Sequence, residues 1–191
     1  MSLIQKRFYA LVAIATLGFA VAGSQASAET LLDTLMPTGV FVQAGLGDNS
    51  TQSYNAGVLW DWNWQASTRI GKVTGYSDIS AGRWIVSTGG TTSNTWATQL
   101  GLTPVLRQQV GDSGYFVEIG IGANYILPLF QSGSKRFSTQ FNFGDHVAVG
   151  KLFGIESQHE VVMRFQHYSN AGIAHPNPGE NFFQLRYVYR Y

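Results

Sequence analysis

From about residue 38 to the C-terminus, apolar and polar side chains alternate with a period of two. Successive side chains of a β-strand point to opposite faces, so this period predicts strands with one apolar and one polar face. Each alternating run ends in a cluster of Gly, Ser, Asn or Asp, residues that favour turns. The pattern therefore predicts an all-β chain whose strands follow one another through turns.

We expect eight strands and assign them from the limits of the alternating runs. They cover residues 38–47, 51–65, 67–79, 94–108, 113–127, 138–152, 156–170 and 181–191. Residues 80–93 are interpreted as a loop or as a strand extension. Strands of about 10 residues or more match the tilted crossing of a lipid bilayer.

The polar face of these strands favours a membrane barrel over a soluble sandwich, although both folds alternate. It mixes Gly with Asn, Gln, Glu and Arg, which suits a narrow lumen lined by hydrogen-bonding side chains. Trp60, Trp62 and Trp64 lie near a strand end, as expected for aromatic residues at a bilayer interface. We therefore predict an eight-stranded antiparallel transmembrane β-barrel.

The first 28 residues have the features of a secretory signal peptide. Lys6 and Arg7 precede an apolar run, and Ala26-Ser27-Ala28 forms a small-residue cleavage site. We expect the barrel domain to span residues 29–191. The chain contains no cysteine, so a device other than disulfides has to hold this exported fold, and barrel closure is one such device. A net charge of +1 gives no extended basic surface, and we expect no nucleic-acid partner.

The seventh predicted strand carries the feature that indicates chemistry. Five residues of equal parity share its apolar face, namely Val161, Met163, Phe165, His167 and Ser169, while the residues between them are mostly polar. The outward apolar stripe thus ends in a His and a Ser, which are costly in lipid unless they lie at the interface or perform a task. With a periplasmic C-terminus, this end of the strand should face the outer leaflet.

A Ser needs a base to become a nucleophile, and His is the common choice because it titrates near neutral pH. We therefore expect Ser169 to be the nucleophile and His167 its base. Glu180 is the only carboxylate between Ser169 and the C-terminus, which makes it the candidate acid that orients the imidazole. The segments that contain Asn170, Gly172 and Asn177 can supply donors for an oxyanion hole.

Residues 167–180, His-Tyr-Ser-Asn-Ala-Gly-Ile-Ala-His-Pro-Asn-Pro-Gly-Glu, resemble the signature of PagL-type lipid A 3-O-deacylases. The resemblance implies an eight-stranded outer-membrane barrel with a Ser-His-Glu triad on its outer wall. By resemblance Ser169 and His167 are nucleophile and base, and Asn177 with the backbone near Asn170 and Gly172 binds the oxyanion. The implied substrate is lipid A, or lipopolysaccharide, in the outer leaflet of the bacterial outer membrane, and no cofactor or metal is implied.

The third triad member departs from the family pattern. Counting from His167 places the family's acid at Asn181, one residue after Glu180. Parity also places Asn181 on the outward face, whereas Glu180 points inward in a regular strand. We choose Glu180 because a carboxylate stabilises imidazolium better than an amide does, and we keep Asn181 as the alternative orienting residue.

Two other functions remain open from the residues alone. One is a phospholipase or acyltransferase of the same leaflet, and the other is a non-catalytic barrel for structure, adhesion or small-solute passage. The sequence also leaves open whether two barrels form a homodimer.

Overall fold

The computed structural model describes residues 35–86 and 96–191. The predicted signal peptide lies outside the described residues. The barrel strands are β1 (Gly39–Gly47), β2 (Thr51–Thr68), β3 (Gly71–Val86), β4 (Trp96–Gln109) and β5 (Tyr115–Leu127), followed by β8 (Phe141–Phe153), β9 (His159–Ser169) and β10 (Glu180–Arg190). Between β5 and β8 lies a short hairpin of β6 (Gln131–Ser132) and β7 (Lys135–Arg136). A 3-10 turn, Asp48–Ser50, joins β1 to β2.

The long strands close into an antiparallel barrel in the order β1-β10-β9-β8-β5-β4-β3-β2. The predicted eight-stranded antiparallel barrel is therefore confirmed. β1 joins β10 in continuous register from Gly39 with Arg190 to Gly47 with Phe182, so the first and last strands complete the wall. Closure leaves no open sheet edge among these strands, which is the device that an exported chain without disulfides requires.

Residues 80–86 belong to β3, so of the two alternatives for residues 80–93 the strand extension is confirmed over this part, and residues 87–93 lie outside the described residues. The alternation changes sense there, because Trp84 and Val86 point inward and are buried while Arg83 points outward. Trp84 packs edge-on against Phe130 and Tyr168 inside this end of the barrel. At this end the side chains inside the barrel are apolar, whereas elsewhere they are polar. The alternation of apolar and polar residues therefore did not indicate where β3 ends.

The expected inward and outward faces of β9 and β10 are confirmed. Met163 is 65% exposed and Leu185 58% exposed, whereas Arg164 is 4% exposed and Gln184 5% exposed. The outward apolar side chains of the other strands continue this surface around the wall. A closed wall with apolar side chains outside and polar ones inside suits a bilayer as its solvent.

Away from the end that contains Trp84, the interior of the barrel is filled by charged and amide side chains. Arg107 donates to both oxygens of Glu160, at 2.9 and 2.7 Å, and to Glu118 at 2.8 Å. Arg186 pairs with Asp78 at 2.8 Å. The polar cavity beside Arg186 has a volume of only about 10 Å³, enough for about one water molecule. Passage of a solute at this level would require these side chains to move, which argues against the small-solute barrel.

The two ends of the barrel differ in their connections. The chain termini of the barrel lie at one end, together with the turns at residues 69–70, 110–114 and 154–158. β3, β5 and β9 end at the other end of the barrel, and more residues separate each of them from the next barrel strand, so we call it the loop end. Among the described residues no helix is long and apolar enough to cross a membrane.

Candidate active site

His167 and Ser169 lie on the outer wall where β9 reaches the loop end of the barrel. Both side chains are half-buried, and the residues between and beside them, Tyr168 and Asn170, are buried on the inner side. On the neighbouring strand β8, Asp145 is the register partner of His167 and Phe143 that of Ser169. The predicted pair therefore shares the outward face at the edge of the apolar wall.

Asn181 is the partner that fixes the His167 ring. It is opposite His167 in the register of β9 and β10, and its Oδ1 lies 2.7 Å from Nδ1 of His167. An amide oxygen only accepts, so this contact requires the proton on Nδ1. Nε2, on the far side of the ring, is then the nitrogen able to accept a proton.

Glu180, the predicted acid, does not contact His167; the side chain that contacts the imidazole is that of Asn181, the alternative residue. Glu180 is opposite Tyr168 in the strand register and is fully buried on the inner side of the wall. Its Oε2 accepts a hydrogen bond from Nζ of Lys135 at 3.1 Å. β10 begins without the bulge that would be needed to turn Glu180 outward. Regular alternation therefore places Glu180 inside the barrel and Asn181 outside.

Two charged residues near Asn181 were not predicted from the sequence. Oδ2 of Asp48 accepts hydrogen bonds from Nδ2 of Asn181 at 2.9 Å and from Nζ of Lys135 at 2.6 Å. The hydrogen bond from Lys135 holds the pKa of Asp48 below its ordinary value of 3.8. A signal for Asp48 was present, because it continues the outward parity of Leu46 on a strand that closure sets beside the last one.

The predicted oxyanion donors are held in a hydrogen-bonded loop between β9 and β10. The backbone N–H of Asn170 donates to Oδ1 of Asn177 at 3.0 Å, and the N–H of Gly172 donates to Oδ1 of Asn170 at 2.9 Å. These two N–H groups therefore have partners within the loop. The carboxamide oxygen of Asn177 accepts the first of these hydrogen bonds, and the side chain, whose Nδ2 is a donor, is half-buried.

Gly179 lies against the His167 ring just before β10. A Cβ at this position would come within 2.7 Å of Cε1 and 3.4 Å of Nε2 of His167. The residue also has a φ of +65°, a conformation that glycine adopts more readily than other residues. Only a glycine lets the backbone pass so close to the edge of the imidazole that carries Nε2.

An apolar depression lies on the outer wall toward the middle of the barrel from this pair. Its volume is about 820 Å³, and its lining includes Leu46, Met163, Phe165, Phe183 and Leu185. Phe165 and Phe183 are the outward residues that precede His167 and follow Asn181 along their strands, and their rings lie 5.1 Å apart. The polar site therefore borders a continuous apolar surface.

Comparison with known proteins gives one family. The model of the family described as lipid A 3-O-deacylase (PagL) matches residues 51–190. The lipid A deacylase PagL of Bordetella bronchiseptica is 31% identical over 186 residues, which is 95% of each chain. The protein of the same name from Pseudomonas aeruginosa is 32% identical over 153 residues, 78% of this chain and 83% of that relative.

A solved structure agrees with these matches. The crystal structure of the outer membrane enzyme PagL superposes with a TM-score of 0.70 at 27% identity, over 80% of this chain and 99% of that one. The described barrel thus corresponds to nearly the whole of that enzyme.

Proposed function

This chain belongs to the lipid A 3-O-deacylase (PagL) family, and we propose that it hydrolyses the ester-linked acyl chain at position 3 of lipid A. The observation that carries the proposal is the outward-facing pair of His167 and Ser169, with the His167 ring fixed by Asn181. A water-soluble ester would not partition to this apolar outer face of the barrel. A lipid ester in the surrounding leaflet lies beside it.

The arrangement of loops supports the outer leaflet of the bacterial outer membrane as the place of reaction. In barrels of this membrane the short turns face the periplasm and the longer loops face outward. Both barrel termini lie with the short turns, and the site lies at the loop end. Lipopolysaccharide occupies the outer leaflet, so Ser169 would meet its headgroup while the apolar depression beside Phe165 receives an acyl chain.

The proposed reaction uses Ser169 as the nucleophile and needs no metal ligand. Nε2 of His167 accepts the Oγ proton of Ser169 as Oγ forms a bond to the ester carbonyl carbon. The bond from that carbon to the sugar oxygen then breaks, and the sugar oxygen takes the proton from His167. Water, deprotonated by the same nitrogen, attacks the acyl-enzyme, which releases the fatty acid and restores Ser169.

A rotation of the Ser169 side chain has to complete the contact with His167, because residues two apart on a strand have Cα atoms roughly 7 Å apart. Such contacts are commonly loose in unliganded hydrolases and tighten on the substrate. For the oxyanion we propose Nδ2 of Asn177 as donor. Asn170 and Gly172 then contribute by holding Asn177 and the loop in place through their own hydrogen bonds.

Asn181, rather than Glu180, is the orienting residue in this proposal. Its amide oxygen keeps the proton on Nδ1 of His167 and thereby leaves Nε2 free to act as base. Glu180 pairs with Lys135 on the inner side of the wall.

Mass spectrometry of lipid A from cells that produce the protein tests the proposal. Wild type should remove one hydroxyacyl chain from lipid A, and Ser169→Ala and Asn181→Ala should abolish or strongly reduce this loss. Glu156→Gln, an exposed change in the turn at the opposite end, serves as the matched control and should act as wild type does.

The alternative functions give different masses. A gained acyl chain would indicate an acyltransferase, and unchanged lipid A with cleaved phospholipid would indicate a phospholipase. If wild type and Ser169→Ala left the same lipid A, the proposed hydrolysis would be refuted.

A further inference from the structure

We propose that Asp48 is a positioning residue of this site, which supplies through Asn181 the negative charge that a carboxylate would place beside His167. The inference rests on the proposed function. It concerns a residue of the turn between β1 and β2, 133 positions before Asn181, and it gives this chain a relay from Asp48 through Asn181 to His167.

The geometry is a chain of short hydrogen bonds with one direction. Nδ2 of Asn181 donates to Oδ2 of Asp48 at 2.9 Å, and Oδ1 of the same amide lies 2.7 Å from Nδ1 of His167. The backbone N–H of Asn181 also points to Oδ2 of Asp48, at 3.3 Å. The backbone N–H and the side-chain amide of Asn181 thus donate to the same carboxylate oxygen, which fixes both the backbone and the side chain of this residue.

The carboxylate decides which way the amide faces. An asparagine side chain can present either its oxygen or its nitrogen to a neighbour, whereas an ionised carboxylate only accepts hydrogen bonds. With Asp48 on one side, Nδ2 of Asn181 has to face Asp48 and Oδ1 has to face His167. The amide orientation in turn fixes the proton on Nδ1 of the imidazole.

The charge also strengthens the second hydrogen bond. Hydrogen bonds in a chain polarise one another, so an amide that donates to a carboxylate becomes a better acceptor at its oxygen. As His167 takes the proton of Ser169 it becomes positively charged, and Asp48 would stabilise that state through the polarised amide. Asn181 alone could orient the ring but would add no charge.

Lys135 keeps Asp48 ionised and in place. Its Nζ contacts Oδ2 of Asp48 at 2.6 Å, and the same nitrogen donates to the carbonyl oxygen of Gly179 at 3.0 Å and to Glu180. The pKa of Asp48 is lowered, chiefly by the hydrogen bond from Lys135. Asp145 is the other charged residue that faces His167, from β8, and its side chain is exposed.

The test is a set of variants assayed as folded, purified full-length barrels on lipid A in detergent. Asp48→Asn keeps the shape but removes the obligatory acceptor, so kcat should fall about 10- to 100-fold, by analogy with the loss of outer hydrogen-bond partners of metal-bound histidines. KM should stay within about twofold of wild type, because Asp48 orients His167 rather than binding substrate. Asp61→Asn, which changes an ion-paired acid at the opposite end, is the matched control and should keep wild-type kcat.

An exchange of the carboxylate and the amide distinguishes a relay of charge to His167 from a purely structural role of Asp48. In Asp48→Asn/Asn181→Asp the carboxylate stands next to His167 and the amide introduced at position 48 donates to it, so most of the lost kcat should return. ¹⁵N spectra of labelled histidine give a second readout that does not depend on turnover. Wild type and the exchanged pair should show His167 protonated on Nδ1, and Asp48→Asn should show a mixture of both tautomers.

Three results would overturn the inference. They are wild-type kcat in Asp48→Asn, no recovery in the exchanged pair, and one unchanged His167 tautomer in all variants. Loss of activity in Ser169→Ala together with full activity in Asp48→Asn would refute the relay and leave the proposed function standing. A wild-type protein that does not deacylate lipid A would refute the proposed function itself.

Discussion

Gly179 shows how much one backbone position contributes to this site. It stands between the loop after β9 and the first residues of β10, with a φ of +65° and the His167 ring against its Cα. A side chain there would meet Cε1 of His167 at 2.7 Å. The ring position thus depends on the absence of one methyl group as well as on the hydrogen bond from Nδ1 to Asn181.

Gly179→Ala should therefore lower deacylase activity by displacing the imidazole from its position beside Asn181. The change also strains the backbone by about 1 kcal/mol, since a non-glycine residue rarely adopts this φ. Gly111→Ala is a matched control, because Gly111 has a φ of +53° and open space around its Cα. We expect similar stability losses in urea unfolding for both variants, and a loss of kcat only in Gly179→Ala; equal kcat in the two would contradict the contact.

Strand β9 connects the outward-facing pair of His167 and Ser169 to the ion pairs inside the barrel. Alternate residues of β9 point to opposite sides, so the strand that carries His167 outward carries Glu160 and Arg164 inward. Glu160 is fully buried, binds Arg107 through two hydrogen bonds and also accepts from Nε of Arg190. These contacts tie β9 to β4 and β10 near the end of the barrel opposite the loop end.

Glu160→Gln should destabilise the barrel by about 3 kcal/mol, because it leaves buried arginines without a charge that they need. Arg107 retains Glu118 and Arg190 retains Asp61, which limits the loss. The free energy of unfolding in urea, measured after refolding into lipid vesicles, would give the value. Glu156→Gln, at an exposed acid in the preceding turn, should change it by less than about 0.5 kcal/mol, and a similar loss in both would argue against the buried pairs.

The apolar outer wall and the closed strand order are both needed for a sheet that lies in a bilayer. A bilayer offers no hydrogen bonds to a free strand edge, so a sheet in lipid has to close. Closure brings β1 to β10, and that contact places Asp48 beside Asn181. The fold that suits the membrane thus also assembles the outward-facing site from both ends of the chain.

Met163→Arg tests that the exposed wall is a lipid-facing surface. Met163 is 65% exposed in the middle of β9, and a charge there should cost about 2–4 kcal/mol when the barrel folds into vesicles. Ile173 is also 65% exposed but lies in the loop after β9, so Ile173→Arg should change the free energy of folding by less than about 0.5 kcal/mol. Equal costs for the two variants would contradict a bilayer around β9.

The strands, their two faces and the His167–Ser169 pair at the end of β9 could be predicted from the amino-acid sequence. These follow from local rules, since a period of two assigns each side chain to a face without knowledge of its neighbours. The same rule already placed Asn181 outward and Glu180 inward, and the preference for a carboxylate over an amide led away from it. Where the interior becomes apolar, at Trp84 and Val86, the rule left open whether the chain forms a loop or continues the strand, and β3 continues to Val86.

The remaining residues of the candidate site could be found only from the folded barrel. Asp48 contacts Asn181 because the barrel closes, and Lys135, in the hairpin of β6 and β7, contacts Asp48. No local pattern gives the register of two strands that lie at opposite ends of the chain. The hydrogen bonds of Asn170 and Gly172 within the loop likewise depend on how residues 170–177 fold back on themselves. The face on which a side chain lies follows from its position along its own strand, whereas its hydrogen-bond partners follow from the register between strands and from the loops that connect them.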